Sequence, residues 1–383
     1  MASFDWDLTF LNNLPNAVLR EIFRYLPVED RKTASLICRH WEQEAFSVEL
    51  LADVRLCLSH HTLNNSAKTL FVLCNSWRKY RNVVFRLAPF GMCSYFQYTF
   101  IVQLLDMFGQ IEEFTLRKDC SAELLKEFLN RMPRLKRLTV CLKAPQECSI
   151  ERLEFPVMHK LREMDISIRE DTTLKNQQFD MLRVAPNVQR LRLYFSDPIE
   201  HVRAMEMLKA YANQLKMLDL SVLYAWLPID ELQLEKLEIL KLQEGSRELE
   251  VHRLHRLLER LRELKAVHLG FKISQSTLEV ISSSCPKLNT LDIRSDYLEV
   301  GALKHLNNMP NLQIFMVNRL HETFLEVSEP VIVGIKELRL LVGSTALSHH
   351  AYAYKLVKVF PHVSGIWLSK LRFRIVSANS NRK

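Results

Sequence analysis

One apolar spacing recurs along most of the chain and constrains its fold more than any other feature. The pattern is apolar-x-x-apolar-x-apolar, and its regular copies have a mean spacing of about 25 residues. A regular period of this length predicts a repeat architecture in which each period forms one supersecondary unit. Two earlier triplets, within residues 51–56 and 80–85, fit less regularly. The eleven regular copies begin at Ile111, Leu135, Leu161, Val188, Leu215, Leu237, Leu264, Leu288, Leu312, Ile335 and Val363.

Each triplet predicts a short strand together with its lead-in. In one copy, Leu288, Leu291 and Ile293 can all point inward while the residues between them stay outward. Helical patterns at 122–132 and 277–284 lie between strands. Since one repeat cannot bury its own apolar side, neighbouring repeats must stack into a continuous core. The prediction is an α/β fold: a curved solenoid, or horseshoe, with a parallel β-sheet on the concave face and helices on the convex face.

The N-terminal residues follow a different pattern, with helical spacing. Residues 14–27 predict a short amphipathic helix, and 28–36 and 38–45 predict two more. About forty residues bury too little surface to be stable alone, so this three-helix module must lean on a partner or on the next domain. The apolar positions of the first helix are Val18, Leu19, Ile22, Phe23 and Leu26.

Both parts of the chain resemble a known family. The repeats resemble leucine-rich repeats, and the copy at Cys285-Pro286 resembles their cysteine-containing subtype. There, as at Met132-Pro133 and Met309-Pro310, the proline stops the preceding helix. The resemblance implies an F-box domain at 1–50, a linker and degenerate first repeats at 51–110, and a leucine-rich-repeat solenoid with a basic C-terminal cap at 111–383. The residues that resemble the F-box motif are Leu14-Pro15, Leu19, Ile22-Phe23, Leu26, Asp30-Arg31, Ala34-Ser35-Leu36, Cys38-Arg39 and Trp41.

The resemblance to F-box proteins with leucine-rich repeats implies a non-catalytic function. Such proteins are substrate-recognition subunits of Skp/cullin/F-box ubiquitin ligases. Their F-box docks on a Skp-type adaptor, which connects it to cullin and RING subunits, and their repeats capture a protein substrate for ubiquitination. The alternative is a repeat scaffold for protein assembly without ubiquitin transfer. The adaptor-binding residues implied here are Leu14, Pro15, Leu19, Ile22, Phe23, Leu26 and Trp41.

Positive charge is concentrated at the C-terminal end, where residues 338–383 contain no Asp or Glu. Residues 371–375 alternate apolar and basic side chains, which predicts a final strand. Trp367, Lys370, Arg372 and Arg374 could hold an acidic or phosphorylated segment of a substrate through charge-assisted hydrogen bonds. A solvated cap at the end of a solenoid explains the same residues. A second mixed patch, which a solvated strand face explains about as well, consists of Arg190, Arg192 and Tyr194.

Other functions have little support in the sequence. No phosphate-binding glycine loop, nucleophile elbow or zinc-protease helix is present, and no Cys-x-x-Cys occurs among eight cysteines. The adjacent histidines in His60-His61 and in His349-His350 would face apart on a helix or strand, so we expect neither metal nor cofactor. Nucleic-acid binding would suit the pI near 9.0, but acidic residues are mixed with basic ones through most repeats.

The chain is expected to work inside the cell, in the cytoplasm, the nucleus or both. Residues 1–10 contain two acidic residues and no Lys or Arg, so they lack the positive head of a secretory signal. The longest uncharged stretch, 87–105, is interrupted by Pro89 and Gly91. It therefore predicts buried irregular structure followed by a helix, with no role at a membrane.

Overall fold

The structure is a computed structural model. The chain divides into two compact units, Met1–Arg162 and Glu163–Lys383. The structure describes residues 14–59, 66–86, 102–103, 105, 110–120, 122–143, 154–169, 184–195, 201–222, 228–243, 251–293, 298, 301–318, 320, 331–340, 349–368 and 371–374.

Three short helices open the first unit, within the ranges that the sequence predicts. They are α1 (Asn16–Tyr25), α2 (Val28–Ala34) and α3 (Arg39–Ala45). Pro15 and Pro27 directly precede α1 and α2, where a fixed φ suits the entry to a helix and no amide hydrogen is lost. The Cys38 side chain accepts a hydrogen bond from the Trp41 amide at 3.5 Å and so caps α3. Local sequence therefore sets all three helix starts.

These helices pack against the segment that follows them in the chain. Leu19 and Phe23 of α1 are completely buried with Phe46, Leu50 and Leu51. The buried Arg31 of α2 donates a hydrogen bond from Nη1 to the Leu50 carbonyl at 2.7 Å and pairs with Asp53 at 3.2 Å. A buried guanidinium requires such partners, because leaving it unpaired would cost several kcal/mol.

Parallel strands begin in the first unit directly after the helices. The elements are β1 (Arg55–Ser59), α4 (Ser66–Cys74), β2 (Asn82–Arg86), β3 (Glu113–Cys120), α5 (Ala122–Arg131) and β4 (Arg137–Lys143). Consecutive strands from β1 to β4 pair in parallel and in chain order. Part of the stretch predicted as linker and degenerate repeats, 51–110, thus forms β1 and β2.

The second unit continues the same strand–connection–strand order. Its strands β5 to β13 pair in parallel with their sequence neighbours, and the connections include 3₁₀ helices at Ala212–Gln214, Ile229–Glu231 and Ala302–Asn308. The elements are β5 (Glu163–Arg169), β6 (Arg190–Phe195), α6 (His201–Tyr211), β7 (Met217–Val222), β8 (Ile239–Gln243), α7 (Val251–Arg260), β9 (Ala266–Leu269), α8 (Gln275–Ser284), β10 (Thr290–Ile293), β11 (Ile314–Val317), β12 (Glu337–Leu340), α9 (His349–Val359), β13 (Gly365–Leu368) and β14 (Leu371–Arg374).

The repeat triplets form the core. Every residue of the eleven regular triplets is at most 5% exposed, which confirms that their apolar side chains point inward from stacked strands. A fourth core position, which the sequence pattern did not reveal, lies three residues before each triplet from Leu135 onward. It is buried in every case, and it varies from Ala185 to Phe360. In most repeats the amide at the start of the triplet donates to its carbonyl, as Leu135 does to Met132 at 3.1 Å.

The predicted α/β fold, N-terminal helices followed by stacked parallel strands, is confirmed. The helices predicted at 122–132 and 277–284 correspond to α5 and α8, and α8 begins two residues early because the Ser274 side chain caps it. The last strand departs from the parallel order, since β14 pairs antiparallel with β13. A connection of two residues permits a hairpin, whereas a parallel crossover needs about a dozen.

No helix among the described residues is long and apolar enough to cross a membrane. The uncharged stretch 87–105 lies almost wholly outside the described residues.

Candidate functional site

Five large apolar side chains of the N-terminal helices and their connecting turn are exposed. On α1, Val18, Ile22 and Tyr25 follow one another at helical spacing and are 44%, 43% and 80% exposed. Leu36 and Ile37, in the turn before α3, are 84% and 55% exposed. We call these five residues the apolar patch. Large exposed apolar side chains are ordinary when scattered, but clustered ones mark interaction surfaces.

The residues predicted to bind an adaptor fall into two groups. Ile22 and Pro15 are exposed, while Leu14, Leu26 and Trp41 are partly buried against the core of the module. Leu19 and Phe23 have no exposed surface, so in this conformation they support α1 from inside and cannot themselves touch a partner. The Phe23 ring meets Trp41 edge-on, with ring centroids 5.5 Å apart.

A row of polar side chains runs across the outward face of the strands in the second unit. The middle residues of consecutive strands are direct neighbours in register, so their side chains stand side by side. We call the row from β5 to β10 the polar row. It consists of Asp165, Arg192, Asp219, Lys241, His268 and Asp292.

Most charges of the polar row are paired with a neighbour. Arg192 donates from Nη1 to Asp165 and from Nε to Asp219, both at 2.8 Å. Burial by itself would lower the pKa of Arg192, but the hydrogen bonds and charges of Asp219 and Asp165 outweigh it and raise that pKa above its ordinary value. His268 Nδ1 lies 3.0 Å from a carboxylate oxygen of Asp292. Arg192 is therefore neutralised within the row.

A cavity of about 320 Å³ opens beside the polar row. Gly270 lies at its rim, where the Gly270 amide donates to the Leu242 carbonyl at 2.7 Å. A Cβ atom at this position would come within 3.2 Å of the Gln243 backbone, so glycine allows the two chain segments to pass this closely. The lining residues are Arg192, Tyr194, Asp219, Lys241, Leu242, Gln243, His268, Leu269, Gly270 and Asp292.

The strands at the C-terminal end bring a cationic side chain to an aromatic ring. Ile366 and Leu368 are buried while Trp367 is partly exposed, as their alternation predicts. The guanidinium of Arg339, one strand away, lies 5.7 Å from the Trp367 ring centroid, and Arg339 also pairs with Glu337 at 2.8 Å. Cationic groups over an indole face are attracted by its quadrupole.

The remaining residues of the predicted C-terminal site lie on the hairpin partner of β13. Arg372 and Arg374 stand opposite Trp367 and Gly365 in register, whereas Lys370 falls outside the described residues. The second predicted patch is split by its contacts. Arg192 and Tyr194 line the cavity, while Arg190 lies 3.5 Å from the Met217 sulfur.

The described cysteines differ in their surroundings, since Cys38 caps α3 and Cys57 is exposed. Cys141 and Cys285 are buried, and burial raises the pKa of the Cys285 thiol to about 12. A thiol this difficult to ionise is a poor nucleophile. His349-His350 opens α9, and His60-His61 and Cys93 lie beyond the described ranges.

Comparison with known proteins assigns the N-terminal segment. Residues 11–57 match the family described as F-box-like. A comparison with curated proteins gave no match. Among solved structures, the chain is similar to the yeast Rad7–Elc1 complex, with 12% identity, a TM-score of 0.39, and coverage of 90% of this chain and 93% of that one. It is also similar to the TLR13–ssRNA13 complex, with 15% identity, a TM-score of 0.34, and coverage of 82% and 43%.

Proposed function

We propose that this chain is a substrate-recognition subunit of a Skp/cullin/F-box ubiquitin ligase. The observation that carries the proposal is the coincidence of the F-box-like segment, 11–57, with the apolar patch on the same helices. The patch is the docking surface for a Skp-type adaptor, and the adaptor connects the chain to cullin and RING subunits. The strands that follow hold the substrate.

Energetics favour the apolar patch as an adaptor site. Burying one large apolar side chain contributes about 1.5–3 kcal/mol. Five exposed side chains on one three-helix module thus offer enough surface for the few anchors that dominate a protein interface. Ile22 and Tyr25 are the central anchors, since α1 exposes both side chains while its Leu19 and Phe23 are buried. The core residues give the anchors a rigid support, which lowers the entropy lost on binding.

Substrate capture by the strand face is the second part of the proposal. Parallel strands in a row present side chains at regular spacing, which suits an extended protein segment. Near the C-terminal end, the Arg339 guanidinium lies 5.7 Å from the Trp367 ring centroid, and Arg372 is the register partner of Trp367 on β14. Together with Lys370 and Arg374 they provide donors for an acidic or phosphorylated substrate.

The adaptor test uses the full chain with Val18→Asp and Ile22→Asp combined, and Val331→Asp and Val333→Asp as a matched control. Both pairs replace exposed valine or isoleucine side chains, but the control pair lies in the second unit. We expect the first variant to lose a Skp-type adaptor and cullin in co-precipitation by about 30-fold or more, because two buried charges would face an apolar partner. Full retention of both would refute the adaptor assignment. An adaptor that co-purifies without cullin would identify the chain as a repeat scaffold.

The substrate test reverses the charge of the C-terminal cationic residues. Lys370→Glu, Arg372→Glu and Arg374→Glu are combined, and ubiquitination targets are compared by affinity purification under proteasome inhibition. Capture of acidic or phosphorylated proteins should be lost while adaptor binding persists. Unchanged capture would remove this end of the chain from the substrate site.

A further inference from the structure

Lys241 differs from the other charged residues of the polar row in its lack of a described ion-pair partner. It is partly buried on β8, lines the 320 Å³ cavity, and forms no ion pair with any residue that the structure describes. The other two basic residues of the row have partners, since Arg192 pairs with two aspartates and the His268 ring contacts Asp292. One positive charge in this cavity is therefore available to a ligand.

The charges around Lys241 limit what the ligand can be. Its register neighbour Asp219 is 5% exposed and engaged by Arg192. Asp219 and Asp292 both line the cavity, and each carries a negative charge. A dianionic phosphate would be repelled by these two carboxylates, whereas a single carboxylate can approach the ammonium group without adding a second unbalanced charge.

The size of the cavity and its hydrogen-bond donors also favour a single carboxylate as the ligand. A volume of about 320 Å³ is at the small end of ligand sites, so it suits one side chain with water rather than a cofactor. The Lys241 ammonium offers three donors and the Tyr194 hydroxyl one more. A carboxylate accepting from both would form a charge-assisted hydrogen bond with Lys241.

We propose that this cavity binds the carboxylate of an Asp or Glu side chain from the captured protein, with Lys241 as its cationic partner. The inference rests on the proposed function, because it assigns a substrate contact to the strand face. It is separate from the C-terminal basic site, where several cationic residues suit an acidic or phosphorylated segment.

An oriented peptide library tests the inference without knowledge of the natural substrate. The full chain is immobilised and offered peptides in which one fixed residue is Glu, Gln, phosphoserine or Lys and all flanking positions are degenerate. The wild-type chain should enrich fixed Glu over fixed Gln by about 10-fold, the effect of one charge-assisted hydrogen bond. It should also prefer Glu to phosphoserine at this site.

Substitutions at Lys241 identify the contact. Lys241→Gln should abolish the Glu preference, Lys241→Arg should keep it, and Lys241→Glu should shift the preference to fixed Lys. The matched control is Lys236→Gln, which removes an exposed lysine in the turn before β8 and outside the cavity. This control should select the same peptides as the wild type.

The outcomes separate this inference from the proposed function. A Glu preference that survives in Lys241→Gln, or a stronger enrichment of phosphoserine that depends on Lys241, would overturn the carboxylate assignment alone. A wild-type chain that selects no peptide would overturn both this inference and substrate capture by the strand face. Adaptor binding is measured on the same samples and stands independently of either result.

Discussion

The N-terminal helices and the strand face of the second unit differ in which side chains they leave exposed to solvent. Helix α1 is apolar on two sides, so Leu19 and Phe23 fill the core while Ile22 and Tyr25 meet solvent. The strands send every triplet residue inward and pair most of the charges that remain outside. The first surface leaves large apolar side chains exposed, whereas the second pairs most of its charges with its own neighbours.

Because of this difference, the two surfaces suit different kinds of binding partner. Exposed apolar side chains gain free energy from any complementary apolar surface, so the apolar patch suits a constant partner. Charges that are already paired within the protein add little binding free energy unless the ligand carries complementary charges. A ligand charge without a complementary partner lowers the affinity. The strand face therefore suits selective binding, and groups without an internal partner, such as Lys241, carry the selectivity.

The largest loss of stability is expected for a substitution on the inward side of the strands. Phe315 is completely buried and its ring lies 6.5 Å from that of Phe360, so Phe315→Ala should destabilise the second unit by about 3–5 kcal/mol through the cavity it leaves. Met316→Ala, on the outward side of the same strand, should cost under about 1 kcal/mol. Urea denaturation measures both variants. Equal losses of stability in the two variants would contradict the distinction between inward and outward positions.

The next effect tests the two sides of α1. Phe23→Ala should cost about 3 kcal/mol, since Phe23 is fully buried but its neighbour Trp41 is only partly so and can shift into the space. Ile22→Ala should change stability by less than about 1 kcal/mol yet weaken adaptor binding. Thermal unfolding and adaptor titration on the same samples separate the effects. A large stability loss from Ile22→Ala would show that this side of α1 belongs to the core.

A smaller change in stability is expected when either aspartate paired with Arg192 is replaced. The Asp219 side chain is 7% exposed and that of Asp165 is 27% exposed, although both bind Arg192. Asp219→Asn should cost about 1–3 kcal/mol, because it weakens a buried charge-assisted bond. Asp165→Asn should cost about 0–1 kcal/mol. Chemical denaturation of the two variants provides the measurement, and a reversed order would contradict the burial argument.

The smallest effect concerns pH and helix α7. Burial lowers the pKa of His255 from its ordinary value of 6.5, against a weaker raising effect of Glu259. Because the folded pKa lies below the unfolded one, His255 stabilises the fold above pH 6.5, and this contribution is lost as the pH falls through the folded pKa. Hydrogen-exchange protection factors in α7 and α8, which are corrected for the intrinsic exchange rate at each pH, should fall on acidification, and less so in His255→Gln.

The control for this pH effect is His362→Gln, which removes an exposed histidine. It should leave the acid-induced change in hydrogen exchange as in the wild type. Identical acid sensitivity in His255→Gln would assign the change to other groups.

Repeats and local helices could be predicted from the sequence because their signals lie close together in the chain. The triplet spacing located the strands β3 to β13, and the helices at 14–45 fell within two residues of their predicted bounds. The candidate sites were harder. Arg190, Arg192 and Tyr194 looked alike as an alternating patch, but Arg192 turned out to be neutralised by residues 27 positions away on either side.

Local residue patterns thus encode the α/β class, the inward triplets, the F-box-like segment and the concentration of positive charge at the C-terminal end. The folded chain is needed to show which outward residues are neighbours, that Leu19 and Phe23 are buried while Ile22 is exposed, and that Lys241 lines a cavity without a described ion-pair partner. The two kinds of feature differ in how far apart along the chain the interacting residues lie. Burial of a strand depends on spacing within one repeat, whereas pairing across strands depends on register between repeats of unequal length.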